Sequence, residues 1–382
     1  MKAWLVKVEN GDTLEALRGL LRRLLEGKVV DALLVPKALP SGAGFVQALV
    51  KDPELLKDVH PLAPTMPVQS ARILSNLTVG EPEERIGAVI KPCELRAVIE
   101  LAKFLQVKPA HLVTIAVDCL GTYEVKDYAE RVETGDGAAL MEGLLRGAQT
   151  GQPELPAGVD LRLACRMCEN AAPLHADMTL GLFGHDVSQE IEVIVIDRLE
   201  AEMKDKVALE LSGDESGGRR EVISRLAQNR TKKRDEVFGE FRERTKDLQA
   251  LMNAFSTCIR CHNCMVACPI CYCKECVFRT PTFEHQSDQF LRWAGRRGVI
   301  QMPADTLIFH LTRLAHMATS CIGCGLCDSA CPSGLPVATL FRTVGHGVQS
   351  MFDYVPGRDP NETPPVVTFR EDELKIVSGG KD

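Results

Sequence analysis

The apolar residues at the start of the chain fall into short blocks that alternate between strand and helix spacing. Residues 3–8 form a compact apolar run of strand length, and Asn10-Gly11-Asp12-Thr13 supplies turn and cap chemistry. The spacing then predicts a helix carrying Leu14, Leu17, Leu21, Leu24 and Leu25 on one face, followed by a strand over 29–35. Such a βαβ unit favours a sheet with helices packed against it. Six prolines between Pro36 and Pro67 interrupt residues 36–80, which read as loop with short helices. Gly42-Ala43-Gly44 within them reads as an ordinary turn.

Further on, an apolar run over 86–90 predicts a buried strand entering Lys91-Pro92-Cys93-Glu94 and a helix with Leu95, Val98, Ile99, Leu101 and Leu105. A second run over 112–117 leads into Asp118-Cys119-Leu120-Gly121-Thr122. If these strands are parallel neighbours, Cys93 and Cys119 share the carboxyl edge of the sheet, where open α/β sheets hold ligands. Residues 159–163 alternate as a third strand, leading to Cys165 and Cys168. The Gly-, Ala- and Pro-rich stretch 133–158 reads as a flexible excursion. Gly181 and Gly184, ahead of a strand over 191–196, suit either a cofactor's close approach or a tight turn. Residues 211–218 read as a linker and 219–256 as a long helix with Val237, Phe241, Leu248, Met252 and Phe255 on one side. Its cluster Arg230-Thr-Lys-Lys-Arg234 reads as a solvated face, with contact to a phosphate-bearing cofactor or an acidic partner as the alternative.

The C-terminal third carries the most specific pattern. Cys258, Cys261, Cys264 and Cys268-Pro269 form one C-x2-C-x2-C-x3-C-P run, and Cys321, Cys324, Cys327 and Cys331-Pro332 form another. In two-cluster ferredoxins three thiolates of such a run hold one cubane and the fourth reaches the other. The expected sets are therefore Cys258, Cys261, Cys264 and Cys331 on one [4Fe-4S] cluster, and Cys321, Cys324, Cys327 and Cys268 on the second. Structural zinc gives no reason for the x3-C-P ending. Cys93, Cys119, Cys165 and Cys168 can hold a third cluster; alternatively the first two are small buried hydrophobes and the last two serve something else. Cys271, Cys273 and Cys276 lack an evident fourth partner. A helix over 303–319 is expected to carry His310 and His316, and these, with His262, read as satisfied or solvated rather than as ligands. The last residues, 355–382, read as extended.

Composition narrows the setting. Fifteen cysteines without a signal peptide among 382 residues suit a reducing, cytoplasmic compartment where thiolates bind metals. A net charge of −7 and few aromatics give no nucleic-acid signature, and no apolar run is long enough for a membrane span. The expected architecture is an α/β (α+β) N-terminal cofactor domain over 1–218, a helical connector over 219–256, a mainly helical, interrupted two-cluster ferredoxin domain over 257–354, and a tail.

Five segments in a fixed order extend this reading: KPCELRAVIEL (91–101), VDCLGT (117–122), CRMCEN (165–170) with Ala176-Asp177, CIRCHNCMVACPICYCKEC (258–276) and CIGCGLCDSACPSGLPVATLF (321–341). In this combination the chain resembles the coenzyme F420 hydrogenase/dehydrogenase beta subunit family, and within it the beta subunits of F420-linked formate dehydrogenases. The resemblance implies an iron-sulfur flavoprotein, an oxidoreductase subunit whose FAD exchanges a hydride with F420 or a similar two-electron carrier. Single electrons would then pass through the clusters to a catalytic or electron-accepting partner subunit. It places Lys91, Pro92 and Glu94, with Asp118, Gly121 and Thr122, at the FAD, Lys91 foremost. No G-x-G-x-x-G follows a strand, which argues against a Rossmann NAD module. The other expectation is a cluster-only adaptor in a heterodisulfide-reductase-like complex.

Overall fold

The computed structural model describes residues 2–207, 210–283, 287–298 and 305–369. Pro303 and residues 370–382, for which helix and extended tail were expected, lie outside them. An eight-stranded mixed sheet dominates the first two hundred residues, in the order β3-β2-β4-β5-β6-β7-β1-β8. The strands are β1 (Lys2–Lys7), β2 (Ala32–Ala38), β3 (Phe45–Val50), β4 (Ile86–Ile90), β5 (Leu112–Val117), β6 (Met178–Gly181), β7 (Glu190–Val195) and β8 (Glu210–Asp214). β2, β4, β5 and β6 run parallel, while β3, β7 and β8 lie antiparallel to their neighbours.

Helix Thr13–Glu26 starts as its sequence dictates, with the Asp12 carboxylate accepting the Glu15 N–H, and buries Leu17, Leu21, Leu24 and Leu25. It does not close a local βαβ unit, because β1 pairs with β7 and β8 rather than with β2. β4 and β5 are adjacent and parallel, so Lys91 and Asp118 leave the same carboxyl edge, as their apolar runs predict.

Several local expectations are corrected. Residues 36–80 contain β3, paired antiparallel with β2, and Pro36 sits within β2. Residues 159–163 form no strand; the neighbour of β5 is β6, and the chain enters the short helix Leu163–Arg166 directly. The excursion over 133–158 contains the helix Gly137–Ala148. Its Gly143 and Gly147 admit the returning carbonyls of Glu154 and Gln152 where a Cβ would stand within 2.0 and 2.5 Å. The expected linker is edge strand β8 and a helical start, capped by Ser216 accepting the Arg219 N–H. The long helix is two, Gly217–Arg244 and Leu248–Ala254, separated at Thr245.

One hydrophobic core holds the Trp4, Leu17 and Val113 side of the sheet. A second joins Ile86, Ile90, Leu112 and the helix Pro92–Lys103 to Phe255, Met265, Phe309 and Phe341 of the C-terminal region. The sheet and the cysteine loops therefore share packed apolar surface. No described helix is long and apolar enough to cross a membrane.

Gly184 sits in a turn, as one reading of these glycines expects, and Gly181 and Gly184 together let the long helix approach. A Cβ on Gly184, whose φ is +76°, would stand 2.6 Å from the Gly218 carbonyl carbon. That approach brings Arg219 onto Asp118, with Nε and Nη2 donating to the two carboxylate oxygens at 2.8 and 2.6 Å. The Leu182 and Phe183 N–H groups complete the carboxylate's shell at 3.0 and 3.2 Å. Both charges are buried. Replacing Arg219 by Leu strands the Asp118 charge and is expected to cost about 3–5 kcal/mol, measured as a lowered denaturation midpoint. Asp118→Asn combined with it should recover part of that loss.

Candidate metal centre

The two C-P runs fold alike. In the first, Arg260 and His262 take left-handed φ values of 56° and 60°; in the second, Gly323 and Gly325 take 74° and 73° at the same two positions of the motif. This kink after the first spacer residue and again after the second cysteine turns three successive thiols towards one side. Where the loop is tightly packed the residue is glycine: a Cβ on Gly323 would stand 2.2 Å from Arg342 Cδ, and one on Gly325 2.3 Å from Ala164 Cβ. In the more open loop the strained residues are held by side chains. Arg260 pairs with Asp305 at 2.6 Å, and His262 stacks on Phe309 with ring centroids 4.6 Å apart.

Each loop encloses a cavity. One is lined by Cys258, Cys261, Cys264 and Cys331, with His310 and Phe309 behind them. The other is lined by Cys268, Cys321, Cys324 and Cys327, with Arg313 and Arg342. Each thus combines three cysteines of one run with the fourth of the other. Among the described residues no three His, Cys, Asp or Glu side chains converge on a single ion. A tetrahedral zinc draws its ligands to one centre, whereas cubane thiolates stand on separate irons. The donor set fits a [4Fe-4S] cluster in both cavities. Burial pushes the Cys264 thiol up to about 11 and Cys324 up to about 12, despite arginines nearby. Iron loading would therefore displace protons from these thiols.

The third group lies beside the second cavity. Burial holds Cys93 well above the ordinary thiol range, reinforced by Glu94, Cys324, Cys119 and Cys168 around it. Burial likewise lifts Cys119 to about 11, with Cys165 and Cys168 near and Lys91 and Arg230 opposing. Cys165 Sγ stands 3.4 Å from Thr122 Oγ1. All four thiols are half-buried and gathered at the sheet edge, so their donor chemistry also fits a cluster. Cys271, Cys273 and Cys276 line neither ferredoxin cavity. Cys276 Sγ lies 4.0 Å from Met265 Sδ, and Cys273 is exposed. His310 is buried with Nε2 3.5 Å from Cys258 Sγ, and His316 is exposed.

The residues expected at FAD are placed differently from one another. Lys91 lines a cavity of about 50 Å³ with Cys119, Leu120, Gly121 and Phe183, and its Nζ donates to Ala63 O at 2.8 Å. Glu94 is consumed locally: its carboxylate accepts from Ser70 N and Oγ at 2.9 and 2.6 Å and from Lys91 N at 2.9 Å. Asp118 is held by Arg219. Thr122 is buried against Cys165 and Arg162, and Pro92 is buried at the first turn of its helix. Gly121 has φ +128° and backs onto Leu161 and Cys165. Lys91, Asp118 and Gly121 thus share one narrow, largely apolar cavity, which Pro92, Glu94 and Thr122 do not line.

A set of buried arginines, not evident from local sequence spacing, surrounds the thiol sets. Arg96 donates to Pro356 O and Ile322 O at 2.7 and 3.1 Å. Arg162 donates to Cys324 O at 3.0 Å, and Arg230 to Cys168 O at 3.3 Å and to Leu120 O. Arg342 grips Glu169 at 2.9 and 3.0 Å. Although burial opposes it, this pairing holds the Glu169 carboxyl down at about 2. The Arg230 cluster is accordingly split: Arg230 is buried and Arg234 turns to Glu169, while Lys232 is exposed.

Residues 254–335 match the family described as 4Fe-4S dicluster domain. Over 92% of this chain and 93% of its own length, the F420-dependent formate dehydrogenase subunit beta of Methanocaldococcus jannaschii is 25% identical. The chain is a relative of F420-dependent formate dehydrogenase beta subunits. The F420-dependent formate dehydrogenase 1 subunit beta of Methanococcus maripaludis is 26% identical over 94% of both chains. Both relatives are oxidoreductase subunits, and the expected resemblance is borne out along nearly the whole chain. A chain of the F420-reducing [NiFe] hydrogenase complex of Methanosarcina barkeri aligns over 65% of this chain and 94% of its own, with TM-score 0.46 and 13% identity.

With all three thiol sets loaded, anaerobically prepared protein is expected to contain about twelve iron and twelve sulfide per chain. Cys165→Ala with Cys168→Ala should lower both to about eight, whereas Cys271→Ser should leave them unchanged. A wild-type count near eight would remove the third cluster.

Proposed function

We propose that this chain is the iron-sulfur electron-transfer subunit of a formate dehydrogenase or hydrogenase complex, relaying single electrons between a two-electron carrier, F420 or a similar molecule, and a partner subunit. What carries the reading is the pair of cavities in which each C-P run completes the other's thiol set. The likeness to F420-dependent beta subunits over more than nine-tenths of the chain supports the same assignment.

In this reading the proposed ligands are Cys258, Cys261, Cys264 and Cys331 for one cluster and Cys268, Cys321, Cys324 and Cys327 for the next. Cys93, Cys119, Cys165 and Cys168 hold a third at the sheet edge. Bound clusters supply one-electron carriers at potentials set by charge, hydrogen bonding and solvent exposure. The protein's own part is to aim the thiols, keep water from the inner sets and surround them with guanidinium charge.

Hydride exchange between F420 and an FAD held by this chain is the finer reading. The resemblance and the position of Lys91 at the shared carboxyl edge support it. A cluster-only adaptor, as in a heterodisulfide-reductase-like complex, has its own observation in favour: Glu94 and Asp118 are spent on internal contacts. Anaerobic purification, flavin extraction and titration with reduced F420, NADH and NADPH separate the two. The flavin reading expects stoichiometric flavin bleached by reduced F420, with cluster reduction following. Flavin-free protein, with clusters that none of the three carriers reduces, would establish the adaptor.

A further inference from the structure

Arg313 stands between the two ferredoxin-type thiol sets. It lies on the helix Asp305–Met317 and is 3% exposed. Its Nη1 donates to Cys264 Sγ at 3.1 Å and its Nη2 to Cys264 O at 3.1 Å, so one edge of the fork grips the first set. The same side chain lines the cavity of Cys268, Cys321, Cys324 and Cys327. Phe309 and Phe341 fix the guanidinium, with ring centroids 5.4 and 5.0 Å from its carbon. Among the described residues no carboxylate pairs with it. Burial works against its charge, and the groups that favour it are thiols of both sets, Cys264, Cys268 and Cys327, together with Cys271. A buried cation whose only counter-charges are cysteines is costly unless those cysteines are anionic.

We propose that Arg313 is a tuning residue shared by both [4Fe-4S] clusters, one buried guanidinium that raises the two reduction potentials together. This rests on the reading that both thiol sets carry clusters. Reduction adds negative charge to each cubane, and a fixed cation in a low-dielectric site favours that state. The hydrogen bond to Cys264 adds to the effect on the first cluster; at the second, the charge acts through space. Arg162 offers a positional comparison. It is also 3% exposed, and it donates to Cys324 O at 3.0 Å and to Ser329 Oγ at 3.1 Å, on the side of the second set facing Cys165. It also faces Cys165 and Cys93 and pairs with Glu124 at 3.5 Å, so its charge bears on the second and third sets and not on the first.

The test is an EPR-monitored redox titration of the anaerobically prepared full chain, after iron and sulfide have been counted. Arg313→Gln, with Arg313→Met as a second neutral variant, is expected to lower the reduction equilibrium constant of both clusters at least tenfold, which is 59 mV for a one-electron couple. Arg313→Lys should retain most of both potentials, and Arg162→Gln should lower the second cluster while leaving the first unchanged. Loaded neutral variants that shift one cluster or neither would overturn the proposal, as would a lysine variant that falls as far as the glutamine one. Neutral variants that never load while the lysine variant does would also count against it, because the charge would then serve assembly. A wild-type protein holding fewer than two clusters fails the underlying reading before any potentials are compared.

Discussion

The structure is organised around the burial of negative charge. Thiolates bound to iron leave a net anionic cluster, and two or three such groups packed between a sheet edge and a helical cap require cations that are themselves buried. Arg96, Arg162, Arg230, Arg313 and Arg342 provide them, none more than 8% exposed. Four of them also donate to backbone carbonyls of the cysteine loops, at Ile322, Cys324, Cys168 and Cys264. Neutralising the cluster and fixing the loop are thus done by the same fork, a geometry that a lysine ammonium does not reproduce. Because Arg96 follows β4 and Arg162 precedes Cys165, the N-terminal half supplies part of the charge for the C-terminal cavities. The two halves cannot be pulled apart without stranding charge on both sides.

That interdependence explains which features were readable from the sequence. The β4 and β5 runs, the helix face of Leu17, Leu21 and Leu24, and the pairing of the C-P runs all rest on local spacing, and spacing survives in one dimension. The strand at 159–163 and the linker at 211–218 were misread because their alternation and glycines are also local, whereas the outcome was decided by distant partners. β6 took the place beside β5 through Asp177, whose carboxylate accepts from Thr114 N and Oγ1 at 2.8 and 3.0 Å. The glycines near 181–184 and 217–218 were needed where a helix start meets a strand end, a contact that no window of sequence contains.

The arginines were hidden for a different reason. Arg230 sat in a charge cluster whose commonest fate is solvation, and only its neighbours Leu226 and Val237, both buried, hinted at the inward face. Arg313 carried a clearer sign. It follows Phe309 by four residues and precedes Leu314 and Met317, so it is a lone cation on an apolar helical stripe. Such a residue either snorkels to water or meets a buried anion. The cysteine runs on either side of it named the anion.

The two C-P loops show how one backbone serves two environments. Both kink at the same two positions, yet the inner loop has Gly323 and Gly325 where Arg342 and Ala164 press against it. The outer loop holds Arg260 and His262 in the same left-handed conformation through the Asp305 ion pair and the stack on Phe309. The outer thiol set is also the one that reaches the surface: Cys261 is exposed, and beside it Ile259 is 66% exposed. Cys93, Cys119 and Cys168, at the other end, lie at the sheet edge under Arg230. The second set stands between them, touched by Arg162 on one side and Arg313 on the other. The thiol sets therefore grade from half-buried side chains at the sheet edge, through the half-buried second set, to an exposed apolar loop, and the packing that sets this gradient is supplied by both halves of the chain.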